Sequence, residues 1–155
     1  MLNVKIINVM SKGRPKNIKE PFNPLCCRLT DKQLLLLLPT FNDMLSCKEM
    51  GLRDLKGFFF MKKPLMVKRN RLLYYLLERI EYNGKIISNW QNVICRNGMM
   101  INVNGGKISA HSVANTICKY RDNINGNDYS SSESHSGKPE GFEMIDTLIM
   151  LLLRI

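Results

Sequence analysis

The residues best suited to chemistry in this sequence are its cations. Lys12-Gly13-Arg14-Pro15-Lys16 sets an arginine between a glycine and a proline, with a lysine on either side. Glycine allows close backbone approach, proline holds the chain extended, and arginine reaches into strongly negative potential. That combination suits the narrow minor groove of A·T-rich duplex DNA, with Lys12 and Lys16 meeting phosphates. A second cluster, Lys62, Lys63, Lys68, Arg69 and Arg71, crowds the start of an expected helix. Cations at a helix N-terminus oppose its dipole, a cost that an anionic partner relieves. A third group, Lys119 and Arg121, lies on another expected helix with His111, Ser112 and Asn115, side chains that can meet base edges or phosphates. Each group also reads as an ordinary solvated face or tether.

Other chemistries find less support. Five cysteines, Cys26, Cys27, Cys47, Cys95 and Cys118, include no C-x-x-C pair, and only His111 and His135 stand by to complete a metal site. Neither a zinc ribbon nor a disulfide framework is expected, and a reducing, cytoplasmic setting is the simpler assumption. Glu78 and Glu81 are the carboxylates of the central block, and their i, i+3 spacing is that of a solvated helix face. No P-loop, G-x-S-x-G or H-E-x-x-H motif is present. The expectation is a protein that is not an enzyme, with no cofactor and no metal.

Length and composition set the frame. The 155 residues carry 45% hydrophobic and 23% charged side chains and a net charge of +10. This fits one globular domain, and excludes a large multi-domain enzyme and a wholly disordered basic tail. The charge is uneven: +5 over residues 1–30, zero over 31–60, +9 over 61–121 and −4 over 122–155. The acidic segment could compete with phosphate for the basic surfaces. Near the N-terminus, Leu2, Val4, Ile6, Ile7, Val9 and Met10 alternate with Asn and Lys, which predicts no signal peptide. The apolar run 147–155 falls well short of the ~20 residues that span a bilayer, so no membrane span is expected.

The elements that must position these groups follow from periodicity. Residues 1–24 are expected as a basic extended arm, with Pro15, Pro21 and Pro24 forbidding a regular helix over its later part. Residues 25–121 form the expected helical core. It opens on a short strand at Leu25–Leu29, followed by a Thr30/Gln33 capping box ahead of Leu34–Leu38, with a kink or stop near Pro39. A helix from about Leu52 to Met61 follows, weakened by Gly57. The clearest periodicity, Leu72, Leu73, Leu76, Leu77 and Ile80, predicts a helix over 70–82, capped by Asn70 and stopped at Asn83-Gly84. A shorter helix capped by Ser88 would bury Trp90, Val93 and Ile94. Met99–Val103 and Lys107–Ile108 around Asn104-Gly105-Gly106 read as a β-hairpin. Ser109 caps a helix burying Ala110, Val113, Ala114, Ile117 and Cys118. Residues 122–141 have linker composition, and 142–155 form an apolar C-terminal helix. The fold class is therefore mainly α with one short β-hairpin, a helical bundle of helix-turn-helix or winged-helix kind. In the winged arrangement Asn104–Lys107 is the wing tip, and the Ser88 or the Ser109 helix enters the groove.

Three resemblances bear on function. Lys12–Lys16 is similar to the core of an AT-hook. Together with Arg28-Leu29-Thr30-Asp31 and the helix after it, residues 12–60 resemble the opening of a ribbon-helix-helix protein. That likeness implies a dimer whose paired strands read the major groove. Only Arg28 carries over as a DNA contact, because Cys26 and Cys27 replace the usual polar readers and Pro39 interrupts the helix. Residues 64–119, with Asn70-Arg71-Leu72-Leu73 and Asn89-Trp90-Gln91, resemble small uncharacterised proteins of bacterial mobile elements, which implies a cytoplasmic setting and no particular chemistry. The combined expectation is a non-catalytic DNA-binding regulator or accessory protein of a mobile element, its partner an A·T-rich duplex. The alternative is a protein-interaction module or homodimer that uses the apolar C-terminal helix and has no nucleic-acid role.

Overall fold

The computed structural model describes residues 22–46, 49–124 and 138–155. The arm carrying Lys12, Arg14 and Lys16 lies outside the described residues, as do Cys47, His135 and most of the expected linker. The first helix, α1 (Asp31–Met44), opens on the expected box: Thr30 Oγ1 accepts from the Gln33 N–H at 3.2 Å, and Gln33 Oε1 accepts from the Thr30 N–H at 2.9 Å. It runs through Pro39 without stopping. Pro39 and Leu35, whose carbonyl loses its helical donor, are both solvent-exposed, so water can satisfy the freed oxygen. After α1, the Asn42 side chain clamps the next loop, accepting from the Met50 N–H at 2.8 Å and donating to the Met50 carbonyl at 3.1 Å.

The chain continues through α2 (Leu52–Phe59), β1 (Leu65–Val67), α3 (Asn70–Tyr82), α4 (Trp90–Arg96), β2 (Met100–Asn102), α5 (Ala110–Ile124) and α6 (Phe142–Leu152). The centre is α3, buried without interruption from Leu72 to Glu78 because α1, α5 and α6 pack around it. Buried side chains form one core, from Leu25 on the segment that enters α1 to Ile145, Ile149 and Leu152 on α6. Phe41, Phe58 and Phe59 meet edge-on or tilted at 5.2–6.2 Å between centroids and join α1 to α2. The amide of Gln33 reaches across to donate to the Leu152 carbonyl at 3.2 Å, which fixes the end of α6 to α1.

Several local expectations are corrected. Leu25–Leu29 forms no strand. Cys26 turns the chain at a φ of 51°, and the segment is held by the Arg28 N–H on the Lys85 carbonyl and the Ile87 N–H on the Leu25 carbonyl. The expected hairpin is present in short form, with the antiparallel bridge Ile101↔Lys107, the Asn102 N–H on the Gly106 carbonyl, the Ile108 N–H on the Met100 carbonyl and a positive φ of 92° at Gly105. What the sequence did not indicate is a parallel partner on the other edge: β2 runs beside β1 in the register Leu65↔Met100, Met66↔Ile101, Val67↔Asn102, with α3 and α4 as the crossover. Asn70 does not cap α3, since its Nδ2 donates instead to Tyr74 Oη and Asn102 Oδ1. Ser88 does not cap α4, which starts at Trp90 with Asn89 before it. Among the α5 side chains described, Val113 and Ile117 are buried, while Ala114 and Cys118 face solvent, because α3 and α4 pack against one side.

Candidate nucleic-acid interface

The amphipathic helix α2 turns Leu55, Phe58 and Phe59 inward, which leaves Arg53 and Lys56 on its outer side. Its end is a Schellman turn: the Lys62 N–H donates to the Gly57 carbonyl at 2.7 Å and the Met61 N–H to the Phe58 carbonyl at 3.1 Å, with Met61 at φ 62°. This turn folds Lys62 and Lys63 back over the helix. A Cβ on Gly57 would lie 3.2 Å from the Lys63 Cβ, so the glycine permits the close return. Between helix and turn lies an open groove of ≈ 810 Å³, lined by Leu52, Gly57 and Phe60, by the cations Arg53, Lys56, Lys62 and Lys63, and by the carboxylate of Asp54.

Carboxylates partly neutralise these cations. Asp54 accepts from Lys63 Nζ at 2.9 Å and from the Gly51 N–H at 3.1 Å, and these bonds hold its carboxyl below the usual range. Lys56 pairs with Asp31 at 3.1 Å. Both pairs are largely solvent-exposed and worth little by themselves.

The expected cluster Lys62–Arg71 therefore divides. Lys62 and Lys63 join the α2 groove, whereas Lys68, Arg69 and Arg71 stand at the start of α3. There Arg69 is engaged with Asp43 at 2.7 Å, and its guanidinium would lie 3.6 Å from a Cβ added at Gly141, just before α6. Lys68 and Arg71 are exposed. Arg28 is exposed on the segment bound to Lys85 and Ile87 and is not among the residues lining the α2 groove.

A further basic surface forms where α4, the glycine turn and α5 meet. A shallow depression of ≈ 390 Å³ is lined by Asn92, Cys95, Arg96, Lys107, Ser109 and Ala110. Ser109 Oγ accepts from the Ser112 N–H at 3.2 Å, the cap expected for α5. His111, Ser112, Asn115 and Lys119 line the exposed side of α5 at i, i+1, i+4 and i+8. Arg121 belongs to the same helix, its side chain outside the described residues. The sequence reading missed Arg53, Lys56 and Arg96. Arg53 and Lys56, three apart on the polar side of 52–59, were the available signal for the groove.

The acid–base and thiol groups have other settings. Glu78 is buried, not solvated as its spacing with Glu81 implied, and accepts from Trp90 Nε1 at 3.2 Å. Burial raises Cys27 and pushes Cys95 up to about 11, which keeps both as thiols at neutral pH, the opposite of an activated nucleophile. Among the described residues no group of His, Cys, Asp and Glu is arranged to hold a metal, and no helix is long and apolar enough to cross a membrane. Set against known proteins, the chain matches no family model, no curated protein and no solved structure.

Proposed function

We propose that this protein binds duplex DNA without catalysing a reaction on it, as a cytoplasmic regulator or accessory factor of a bacterial mobile element. The observation that carries the reading is the convergence of Arg53, Lys56, Lys62 and Lys63 on one groove. Two of the four come from a helix and two from the turn that folds back over it, so eleven consecutive residues bring four cations to one groove. In this reading the groove neutralises phosphates. The exposed side of α5 (His111, Asn115, Lys119) lies against the duplex with the 103–107 turn beside it, in the manner of a winged helix. Lys68 and Arg71 extend the phosphate contacts, Arg28 adds a separate one, and the arm with Lys12, Arg14 and Lys16 supplies the A·T preference.

The test is a mobility-shift titration of A·T-rich and G·C-rich duplexes over a salt series. The expected result is affinity that falls steeply with salt. The variant Arg53→Glu/Lys62→Glu should weaken binding to both duplexes and flatten the salt dependence, and Arg14→Ala should erase the A·T preference more than the affinity. Absent binding at low ionic strength, or binding indifferent to salt, overturns the reading.

A further inference from the structure

Helix α6 carries two apolar stripes. The first, Phe142, Ile145, Ile149 and Leu152, is buried against α1 and α3. The second consists of Met144, Leu148 and Leu151, at i, i+4 and i+7, the spacing of a helix-pairing seam, with Ile155 following in the turn beyond the helix. Met144, Leu151 and Ile155 are 47%, 48% and 57% exposed. The Leu152 carbonyl is bound by Gln33, which holds the buried side of α6 to α1 and leaves the second stripe facing outward. Apolar surface gathered in this way marks a contact surface.

The charges beside the stripe identify what covers it. Glu143 lies in the first turn of α6 and Arg154 in the turn just past its end, so opposite charges mark opposite ends of the stripe. Beyond Leu152 the chain closes in tighter turns, the Arg154 N–H donating to the Leu151 carbonyl and the Ile155 N–H to the Leu152 carbonyl. Two parallel copies of α6 would set Glu143 against Glu143 and Arg154 against Arg154. Two antiparallel copies set each Glu143 against the other copy's Arg154, twice over, while Met144 meets Ile155 and Leu148 meets Leu151. That self-complementarity is what an isologous two-fold contact requires. We infer that the outer face of α6 is a homodimer interface in which two copies of this chain pack their α6 helices antiparallel.

The inference is independent of the DNA reading, and sedimentation equilibrium of the full chain over a wide concentration series tests it without nucleic acid. The expected result is a monomer–dimer equilibrium. Leu151→Glu should weaken it by about tenfold or more, with far-UV circular dichroism unchanged because Leu151 contributes to no buried face. Glu143→Arg should weaken the dimer by setting like charges against each other, and Glu143→Arg/Arg154→Glu should restore it. A chain that is monomeric at every concentration overturns the inference, as does a dimer indifferent to Leu151→Glu. Failure of the double reversal to restore association overturns the antiparallel pairing. A monomeric chain that sediments with anionic phospholipid vesicles overturns it in favour of a membrane surface.

Discussion

Gln33 closes the capping box of α1 through its side-chain oxygen and backbone N–H, and its amide nitrogen holds the end of α6. The capping half was legible because Thr30 is three residues away; the other half was not, because Leu152 is 119 residues away. The same asymmetry governs Glu78, whose spacing from Glu81 described a solvated face until α4 placed Trp90 against it. Trp90→Phe removes a donor to a buried carboxylate and should cost about 1–3 kcal/mol, read as a lower midpoint in urea denaturation. Cys95 gives a pH dependence whose sign follows from its surroundings. Its thiol, ordinarily at 9.0, is raised to about 11 by burial, so above pH 9 the unfolded chain releases a proton that the folded chain retains. The corresponding stability is fully present below pH 9 and is lost as pH rises towards 11. Urea midpoints measured across that window should fall, and Cys95→Ala should make the fall shallower. Tyr75, raised by burial and by its 2.7 Å bond to Asp146, acts in the same direction from higher pH.

At the scale of elements, helices carried by periodicity are found close to where the sequence placed them. The 70–82 helix has both ends as expected, since five apolar residues on one face and an Asn-Gly stop leave little alternative. The strands were half legible for a physical reason. Three residues such as Leu65-Met66-Val67 are too few for a period, and a glycine turn after Met100–Asn102 points only to the nearer partner. The crossover through α3 and α4 brings the more distant one alongside, where Met100 and Leu65 are both buried. Helix α6 shows how a terminal element becomes structural, through Ile145 and Ile149 in the shared core and the Tyr75–Asp146 bond. Ile145→Ala should therefore cost about 2–5 kcal/mol. Trp90 fluorescence and far-UV circular dichroism should still report one coincident urea transition, because α6 shares its core with α3.

For the molecule as a whole, the net charge of +10 resolves into surfaces. The groove beside α2 and the α4–turn–α5 face are separate places, and the Arg69–Asp43 and Lys63–Asp54 pairs temper both the α3 entrance and the groove. The proposed DNA binding would draw on these surfaces together, and its salt dependence would count the cations engaged. Each phosphate-contacting cation removed should lower the logarithmic slope by about 1. Arg53→Glu/Lys62→Glu should thus lower it by about 2 or more, whereas Arg28→Ala, on its separate segment, should lower it by no more than about 1. Slopes from mobility shifts across the salt series check both.

The sequence by itself determined the helices, the capping box of α1, the Asn-Gly stops and the regional imbalance of charge. Hydrophobic period, caps and turn residues act over a few positions, and a reading of neighbours captures them. Only the tertiary structure decided that β1 pairs parallel with β2, that Glu78 is buried against Trp90, and that Arg53 and Lys56 share a groove with Lys62 and Lys63. It also decided which side of α6 remains exposed. Each of these depends on which surfaces meet after the chain has folded back on itself, and contacts between distant positions leave no period in the sequence.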